Sequence, residues 1–235
     1  MAKKIKVQNT PNTTTNFQIK QIHPLTINQR KTFEEWSKGK HLLLHGFPGT
    51  GKSYIGTYLA LKELTASNNC HSLQIFRSTV SSRNIGFLPG NTQEKIAVFE
   101  DPYHQICNEL YSRGDAYSIL KNKRTIEFHC TSFLRGITLS NSIVLVDEIQ
   151  NLSYKEISTI ITRAGKNTRF IFCGDYRQSD FIRYSDKQGL FDFIEIVKGM
   201  DSFSFVEFGI DDIVRSGLVK EFLISEGKYF YEHNL

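Results

Sequence analysis

The chain has 235 residues, 40% of them hydrophobic and 23% charged, which is typical of a globular protein with a substantial core. No stretch reaches the roughly 18 uninterrupted apolar residues of a membrane-spanning helix, and the basic, polar N-terminus lacks the apolar run of a signal peptide. The four cysteines are widely spaced and form no CxxC pair, which indicates free thiols rather than a zinc site or a disulfide framework. We therefore expect a cytoplasmic protein that makes no membrane contact. The net charge of +5 permits nucleic-acid binding without requiring it.

Strand-like and helix-like segments alternate along the chain. Residues 1–24, rich in Thr and Asn near their middle, predict a flexible N-terminal segment, and residues 25–235 a single α/β domain. Strands are predicted at 41–45, 73–77, 142–147, 169–174 and 203–208, and helices at 26–38, 52–64, 153–163, 187–198 and 213–225. This alternation predicts a mostly parallel sheet with helices on both faces.

Residues 81–141 interrupt the alternation and form an insertion between the second predicted strand and the strand 142–147. Helical pieces are predicted within it at 92–100 and 102–112, followed by a strand at 125–130.

A phosphate-binding P-loop (Walker A) pattern lies between the first predicted strand and the helix that follows it. Glycines in such a loop let successive N–H groups surround a phosphate, and the helix directs its positive end to the same place. Lys52 would contact the β- and γ-phosphates, and the hydroxyl of Ser53 would bind Mg²⁺. The predicted ATP-binding residues are Gly46, Phe47, Pro48, Gly49, Thr50, Gly51, Lys52, Ser53 and Tyr54.

The apolar strand 142–147 ends in a pair of carboxylates, Asp147 and Glu148, as in a Walker B motif. In a P-loop enzyme, the first carboxylate would hold the water shell of Mg²⁺ and the second would act as general base on the attacking water. An Asp-Glu pair after a strand can also simply cap the next helix. The presence of a P-loop favours the catalytic interpretation.

A second apolar strand, 169–174, is followed by Asp175 and Gln178. Because the carboxyl ends of parallel strands meet at the ligand edge of a sheet, we expect Asp175 and Gln178 near the γ-phosphate, where the amide of Gln178 would orient water or report the nucleotide state. A surface turn is the alternative.

Gln29 has two interpretations. It stands at the third position of a helix capped by Thr26, and this capping box is a complete structural explanation. It also lies beside the strand that leads into the P-loop, where an amide can both donate to and accept from adenine. We predict an adenine contact in addition to the cap.

Arg163 and Arg215 are the candidate arginines for stabilising charge in phosphoryl transfer. A capping box at Ser153 begins the helix that ends near Arg163, and this helix runs antiparallel to the preceding strand. We therefore expect Arg163 at the edge opposite its own chain's nucleotide, where it could serve only a neighbouring subunit. It could equally complement the helix dipole. Arg215 could act within its own subunit or on a neighbour.

These motifs, in this order, resemble those of superfamily 1 helicases and, more closely, the PhoH-like ATPases in their short phage or bacterial form. The resemblance covers about residues 25–225. Residues 77–80 (RSTV) depart from the Arg-Pro pair usual in the family. The matching strings are GFPGTGKS (46–53), Arg77, GFLPG (86–90), Glu94-Lys95, Pro102-Tyr103, RGITL (135–139), VDEIQN (146–151), ITRAG (161–165), GDYRQSD (174–180) and DIVRSGLV (212–219).

The resemblance implies a single RecA-like core that hydrolyses ATP with Mg²⁺, assembles as a homo-oligomeric ring (a hexamer is favoured) and acts on RNA or single-stranded nucleic acid. Only about 60 residues follow Gly174, too few for the second RecA-like domain of a helicase. We therefore expect a neighbouring subunit to close the site and supply an arginine in trans. A slow, nucleotide-gated scaffold without a nucleic-acid substrate is the alternative. A P-loop kinase is disfavoured, because Glu148 and Gln178 both suit water activation.

Overall fold

The computed structural model describes residues 17–66, 69–78, 92–131, 138–175 and 184–232. Six strands in these ranges form one sheet in the order β3-β2-β4-β5-β1-β6, with every pairing parallel. The predicted mostly parallel sheet is confirmed. The strands are β1 (His41–Gly46), β2 (Ser72–Arg77), β3 (Ile126–Cys130), β4 (Ser142–Asp147), β5 (Thr168–Gly174) and β6 (Phe203–Phe208).

Seven α-helices accompany the sheet in the described ranges: α1 (Ile27–Ser37), α2 (Lys52–Ala66), α3 (Thr92–Tyr111), α4 (Ala116–Asn122), α5 (Tyr154–Thr162), α6 (Tyr184–Lys198) and α7 (Gly217–Glu232). None of them combines the length and the apolarity that crossing a membrane requires. The helix predicted to begin at Ser153 is confirmed in detail. Ser153 is the N-cap of α5, and its side chain and that of Glu156 form a reciprocal capping box.

The sheet is covered by helices on both faces because its inner strands β1, β4 and β5 bury side chains on both faces. Successive residues of a strand point to opposite faces. Leu42 and Leu44 accordingly belong to a core formed with α1 to α4, whereas Leu43 belongs to a second core formed with α5 and α6. The central strand β4 is buried along its whole length. Because all strands are parallel, their amino-terminal ends lie along one side of the sheet and their carboxyl-terminal ends along the opposite side. We call these sides the amino-terminal edge and the carboxyl-terminal edge. The candidate site lies at the carboxyl-terminal edge.

The segment between β2 and β4, which the sequence suggested to be an insertion, contributes a strand to the main sheet. Its strand β3 pairs with β2 and extends the main sheet at its edge. The two predicted helical pieces form one 20-residue helix, α3, with Pro102 inside it. A proline removes one backbone hydrogen bond, but the core-facing side chains Tyr103 and Cys107, both fully buried, keep the helix continuous against the sheet.

Residues 17–24 were predicted to be flexible, but they lie against the core. The ring of Phe17 stacks on Tyr111 with centroids 4.4 Å apart, and the backbone N–H of Ile22 donates to the hydroxyl of Tyr58 over 3.4 Å. Apolar residues in this segment explain the difference, because Phe17, Ile19 and Ile22 all pack on the same core. Residues 1–16 of the predicted segment lie outside the described residues.

Candidate nucleotide-binding site

The P-loop connects β1 to α2 and owes its shape to glycine. A Cβ on Gly46 would lie 2.1 Å from the carbonyl oxygen of Phe208, so only glycine allows β1 and β6 to pair this closely there. Gly49 has a φ of +72° and Gly51 a φ of +84°, in the left-handed region that other residues rarely adopt. The predicted loop thus has the positive-φ turns that let backbone N–H groups face inward.

Lys52 begins α2 and lines the cavity beside the loop. Its Nζ donates to the carbonyl oxygens of Gly46, at 2.8 Å, and Phe47, at 2.7 Å. Burial lowers the pKa of Lys52, although the charges of Asp175 and Asp147 act in the opposite direction. A negative ligand in this cavity would therefore stabilise the charged form of the ammonium group.

Gln29 supports the P-loop from behind. It is almost completely buried, its Nε2 donates to the carbonyl of Thr50 over 3.1 Å, and its Oε1 accepts from the N–H of Leu25 at 2.7 Å. Thr26 caps α1 by accepting from the backbone N–H of Gln29, so the predicted cap is present. The side-chain oxygen of Gln29 accepts from the N–H of Leu25, which is the residue before the N-cap Thr26. The predicted adenine contact remains a prediction.

The Walker A serine and the Walker B aspartate meet directly. Ser53 Oγ donates to Asp147 Oδ1 over 2.8 Å, and the backbone N–H of Glu148 donates to the same oxygen at 3.0 Å. The other oxygen, Oδ2, accepts a 2.7 Å hydrogen bond from the hydroxyl of Tyr103 on α3. Burial and the charge of Asp147 raise the pKa of Tyr103 well above its ordinary value, so the phenol stays protonated and donates. Hydroxyl and carboxylate oxygens facing a phosphate cavity are a donor set that suits Mg²⁺.

Glu148 follows β4 in a left-handed backbone conformation, with φ 54° and ψ 47°. Such a conformation is uncommon outside glycine and is frequently found at functional sites. Its carboxylate lies 3.5 Å from the guanidinium of Arg77, at the end of β2, and accepts from the amide of Gln150. Burial and then the charge of Asp147 raise the pKa of Glu148, whereas Arg77 lowers it. A carboxylate whose pKa is raised in this way is suited to accept a proton.

Gln150 joins the ends of two neighbouring strands. Its Nε2 donates to Glu148, while its Oε1 accepts from the backbone N–H of Asp175 at 3.0 Å, just after β5. A Cβ on Gly174 would lie 2.5 Å from this same Oε1, so glycine is needed for the approach. Asp175 is therefore tied to the Walker B loop. Gln178 lies outside the described residues, and its predicted role remains a prediction.

A cavity of about 400 Å³ opens between the P-loop, the ends of β2, β4 and β5, and one side of α3. It brings together most of the predicted site. Tyr54, predicted to bind ATP, also lines the cavity, and its hydroxyl donates to Glu109 on α3 over 3.0 Å. The lining residues are Pro48, Gly49, Gly51, Lys52, Ser53, Tyr54, Arg77, Pro102, Gln105, Ile106, Glu109, Asp147, Glu148, Gln150, Gly174, Asp175 and Arg215.

The two candidate arginines lie at opposite edges of the sheet. Arg215 lines the cavity of its own chain, and the backbone N–H of its neighbour Val214 donates to Gly49 of the P-loop over 3.0 Å. Arg163 ends α5, and its carbonyl accepts from the N–H of Leu139, just before β4 begins. Arg163 therefore lies at the amino-terminal edge, away from the nucleotide cavity of its own chain. This is the position that the sequence predicted for Arg163. Its Nε is buried with no hydrogen-bond partner in the described part of the chain.

Three residues contact the predicted carboxylates although the local sequence did not predict these contacts. Arg77, Tyr103 and Gln150 contact Glu148 or Asp147 from two other elements and from the turn after β4. All three belong to strings that carried the family resemblance, but nothing near them in sequence indicated their partners. The one available signal was the position of Arg77 at the end of a buried strand.

Comparison with known proteins agrees with this geometry. The "PhoH-like protein" family matches residues 21–225, nearly the whole described chain. The chain belongs to the PhoH-like protein family. The resemblance inferred from the sequence motifs is thereby confirmed.

Curated PhoH-like relatives are about 30% identical to this chain over the aligned residues. The PhoH-like protein of Synechocystis sp. is 31% identical over 85% of this chain and 60% of its own length. That of Bacillus subtilis is 30% identical over 89% of this chain and 65% of its own length. The chain thus spans about three fifths of the length of these PhoH-like relatives.

A solved structure shares the fold at low sequence identity. The large terminase of a thermophilic bacteriophage is 15% identical, with a TM-score of 0.50 over 85% of this chain and 49% of the terminase. This likeness is one of fold, and it agrees with the predicted RecA-like P-loop domain.

Proposed function

We propose that this PhoH-like chain is a Mg²⁺-dependent ATPase. The observation that carries the proposal is the contact between Ser53 and Asp147 at the mouth of the P-loop, with Glu148 beside it in the same cavity. Bound Mg²⁺ would neutralise charge on the β- and γ-phosphates. Ser53 and Asp147 would hold it, and Lys52 would add a positive charge to the same phosphates.

Glu148 is the group that distinguishes hydrolysis from binding alone. Its raised pKa and its position in the cavity suit a base that takes a proton from water. Arg77 and Gln150 each hold one carboxylate oxygen of Glu148, which leaves its orientation well defined. Water would be directed at the γ-phosphate from this side, with Gln178 as a second predicted contact.

Replacing Glu148 by glutamine tests hydrolysis. A general base contributes roughly 10²- to 10⁴-fold, so Glu148→Gln should lower turnover by about that factor while ATP binding persists. Glu195→Gln is the matched control, because Glu195 is 71% exposed on α6 and pairs with Lys198. Steady-state phosphate release and binding of a fluorescent ATP analogue give the two readouts. Measurable turnover that is equal in Glu148→Gln and wild type would contradict Glu148 as the general base, whereas ATP binding by the wild type without measurable turnover would contradict an ATPase and favour a nucleotide-gated scaffold.

We further propose that ATP hydrolysis is coupled to RNA or single-stranded nucleic acid. The helicase-like order of motifs and the net charge of +5 support this coupling. Single-stranded RNA at low salt should raise the ATPase rate, and the stimulation should weaken as salt increases, because phosphate contacts release counterions. A rate indifferent to RNA and DNA at low salt would count against the coupling and leave the ATPase proposal intact.

We also propose assembly into a homo-oligomeric ring, with a hexamer favoured, in which Arg163 reaches the nucleotide of a neighbouring subunit. Its position at the edge away from its own cavity supports this arrangement. Light scattering with and without a non-hydrolysable ATP analogue measures the assembly. A mass that stays monomeric with ATP, at full ATPase rate, would exclude the ring.

Mixing inactive variants tests which arginine acts in trans. Arg163→Ala subunits keep Glu148, and Glu148→Gln subunits keep Arg163, so mixed rings should recover part of the activity. Arg215 lies in its own chain's cavity, so we expect no recovery when Arg215→Ala subunits are mixed with Glu148→Gln subunits. Recovery in the second mixture alone would reverse the assignment of the two arginines.

A further inference from the structure

The carboxylate of Asp147 is held from two sides by different parts of the chain. Ser53 Oγ and the backbone N–H of Glu148 both donate to Oδ1. These two donors fix only Oδ1 directly. The Tyr103 hydroxyl bonds the opposite oxygen, Oδ2, at 2.7 Å, so both oxygens of the carboxylate are held in place.

We propose that Tyr103 is a positioning residue for the Mg²⁺ site, setting the orientation in which Asp147 meets the metal that arrives with ATP. This inference rests on the proposed function and deepens it. Hydrogen-bond partners of metal-binding carboxylates orient them, and removing such a partner typically costs about 10- to 100-fold in metal affinity or activity. The metal site would thus extend beyond the P-loop and β4 to a residue of α3.

Tyr103 is well suited to this role because its own position is rigid. The side chain is completely buried, and its ring lies 5.8 Å from that of Phe128 on β3. The next residues on the same face of α3, Cys107 and Leu110, are also completely buried in the core. Precise placement of a functional group requires support of this kind.

A second tyrosine provides the control for a purely structural bond. Tyr117 on α4 is also completely buried and also donates to a carboxylate, Glu100, at 3.0 Å. Glu100 additionally binds Lys121 and does not line the nucleotide cavity. If buried tyrosine–carboxylate bonds only support the fold, the two tyrosines should behave alike.

The test compares Tyr103→Phe with Tyr117→Phe in the binding of mant-ADP, a fluorescent ADP analogue, with MgCl₂ and with EDTA. The ratio of the two affinities measures how much Mg²⁺ strengthens nucleotide binding. We expect Tyr103→Phe to reduce this ratio by about 10-fold or more, with its EDTA affinity unchanged, and Tyr117→Phe to keep the wild-type ratio. An unchanged or larger ratio in Tyr103→Phe, or equal losses in both variants, would overturn the inference.

Two further arms keep the outcome interpretable. If wild type itself shows no Mg²⁺ effect, the proposed function fails at the metal, which is a different result from failure of Tyr103 alone. If Tyr103→Phe does not fold because the Asp147 carboxylate loses its donor on Oδ2, an asparagine at 147 removes that charge, so the double variant Tyr103→Phe/Asp147→Asn is compared with Asp147→Asn. We expect equal Mg²⁺ ratios in these two proteins, and a further loss in the double variant would show that Tyr103 does not act through Asp147.

Discussion

A partly buried basic side chain lies at each end of the parallel strands, Lys52 at the carboxyl-terminal edge and Arg169 at the amino-terminal edge, and of the two only Lys52 lines the candidate site. At the carboxyl-terminal edge, Lys52 donates to carbonyl groups of its own loop beside a cavity. At the amino-terminal edge, Arg169 pairs with Glu63 and donates to the carbonyls of Trp36 and Lys40. Its guanidinium carbon also lies 3.3 Å from the centre of the Trp36 ring.

The difference lies in what compensates the charge. Arg169 has a carboxylate, two carbonyls and an aromatic face, all within the protein. Lys52 has no carboxylate within salt-bridge distance in the described residues, and burial lowers its pKa. A buried charge without a paired anion is costly, and an incoming phosphate would remove that cost. A negatively charged ligand would therefore stabilise the charge of Lys52, whereas the charge of Arg169 is already compensated within the protein.

Among the changes that test this comparison, Lys52→Met has the largest expected effect, because it removes the charge at the ligand edge. We expect ATP turnover to fall by about 100- to 1000-fold, the loss typical of one electrostatic contact to a reacting group. Thermal stability without nucleotide should stay equal or rise, because methionine fills similar space without a buried charge. Phosphate release and a thermal melt measure the two effects. A clear fall in melting temperature would contradict the contrast between the edges.

Arg169→Met makes the matching change at the opposite edge. It leaves Glu63 without its partner and removes donors from two carbonyls, so we expect a loss of about 3 kcal/mol in the free energy of unfolding. We use the lower end of the range of losses for breaking a buried ion pair, because Arg169 and Glu63 keep 18% and 21% of their side-chain surface exposed. Chemical denaturation measures the loss.

Two controls accompany Arg169→Met. Nucleotide affinity should be retained at temperatures where the variant is folded, and its loss would link the two edges directly. Lys198→Met, at a residue whose side chain is 41% exposed and paired with Glu195, should change stability by no more than about 0.5 kcal/mol.

Ser153→Ala tests a helix that connects the two edges. Ser153 caps α5 near the ligand edge, and α5 ends at Arg163 on the opposite edge. Removing the cap should cost about 1 kcal/mol of stability and leave turnover per folded molecule unchanged. Denaturation followed by an ATPase assay at low temperature measures both. Ser153→Thr retains a capping hydroxyl and should stay close to wild type, so a similar loss in both variants would point away from capping.

The smallest expected effect is the pH dependence contributed by His41 at the amino-terminal edge. Burial, followed by the charge of Arg169, lowers the pKa of His41, and its Nδ1 accepts from the N–H of Phe170 at 3.1 Å. Because the folded pKa lies below the unfolded value of 6.5, this contribution to stability is complete above pH 6.5 and is lost as pH falls below it. His41→Gln keeps an acceptor without a titrating group. Unfolding curves at pH 7 and pH 5.5 should show a smaller acid loss in this variant than in wild type.

The strands, the P-loop and the helix cap could be predicted because each depends on residues that are close together in the sequence. The strands are short runs rich in apolar residues, and the predicted strand at 203–208 matches β6 residue for residue. The P-loop and the capping box at Ser153 depend on spacings of a few residues, which a sequence displays directly. Arg163 could be placed at the far edge because a helix after a strand runs back along it.

Contacts between distant residues left no such signal. Tyr103 and Asp147 are 44 residues apart, and Arg77 and Glu148 are 71 apart. These contacts depend on the strand order, in which β2 lies directly beside β4, and on the rotation of α3 against the sheet. The continuity of α3 through Pro102 was missed for the same reason, since core packing decided it against local preference.

By itself, the sequence determined that this chain has a parallel α/β sheet with a P-loop and a carboxylate pair, because periodicity and short motifs are local properties. Tertiary structure alone decided which residues surround those carboxylates and that Arg215 lies in its own chain's cavity. Hydrogen bonds act over about 3 Å, so they form only between groups that the packing of whole elements brings together.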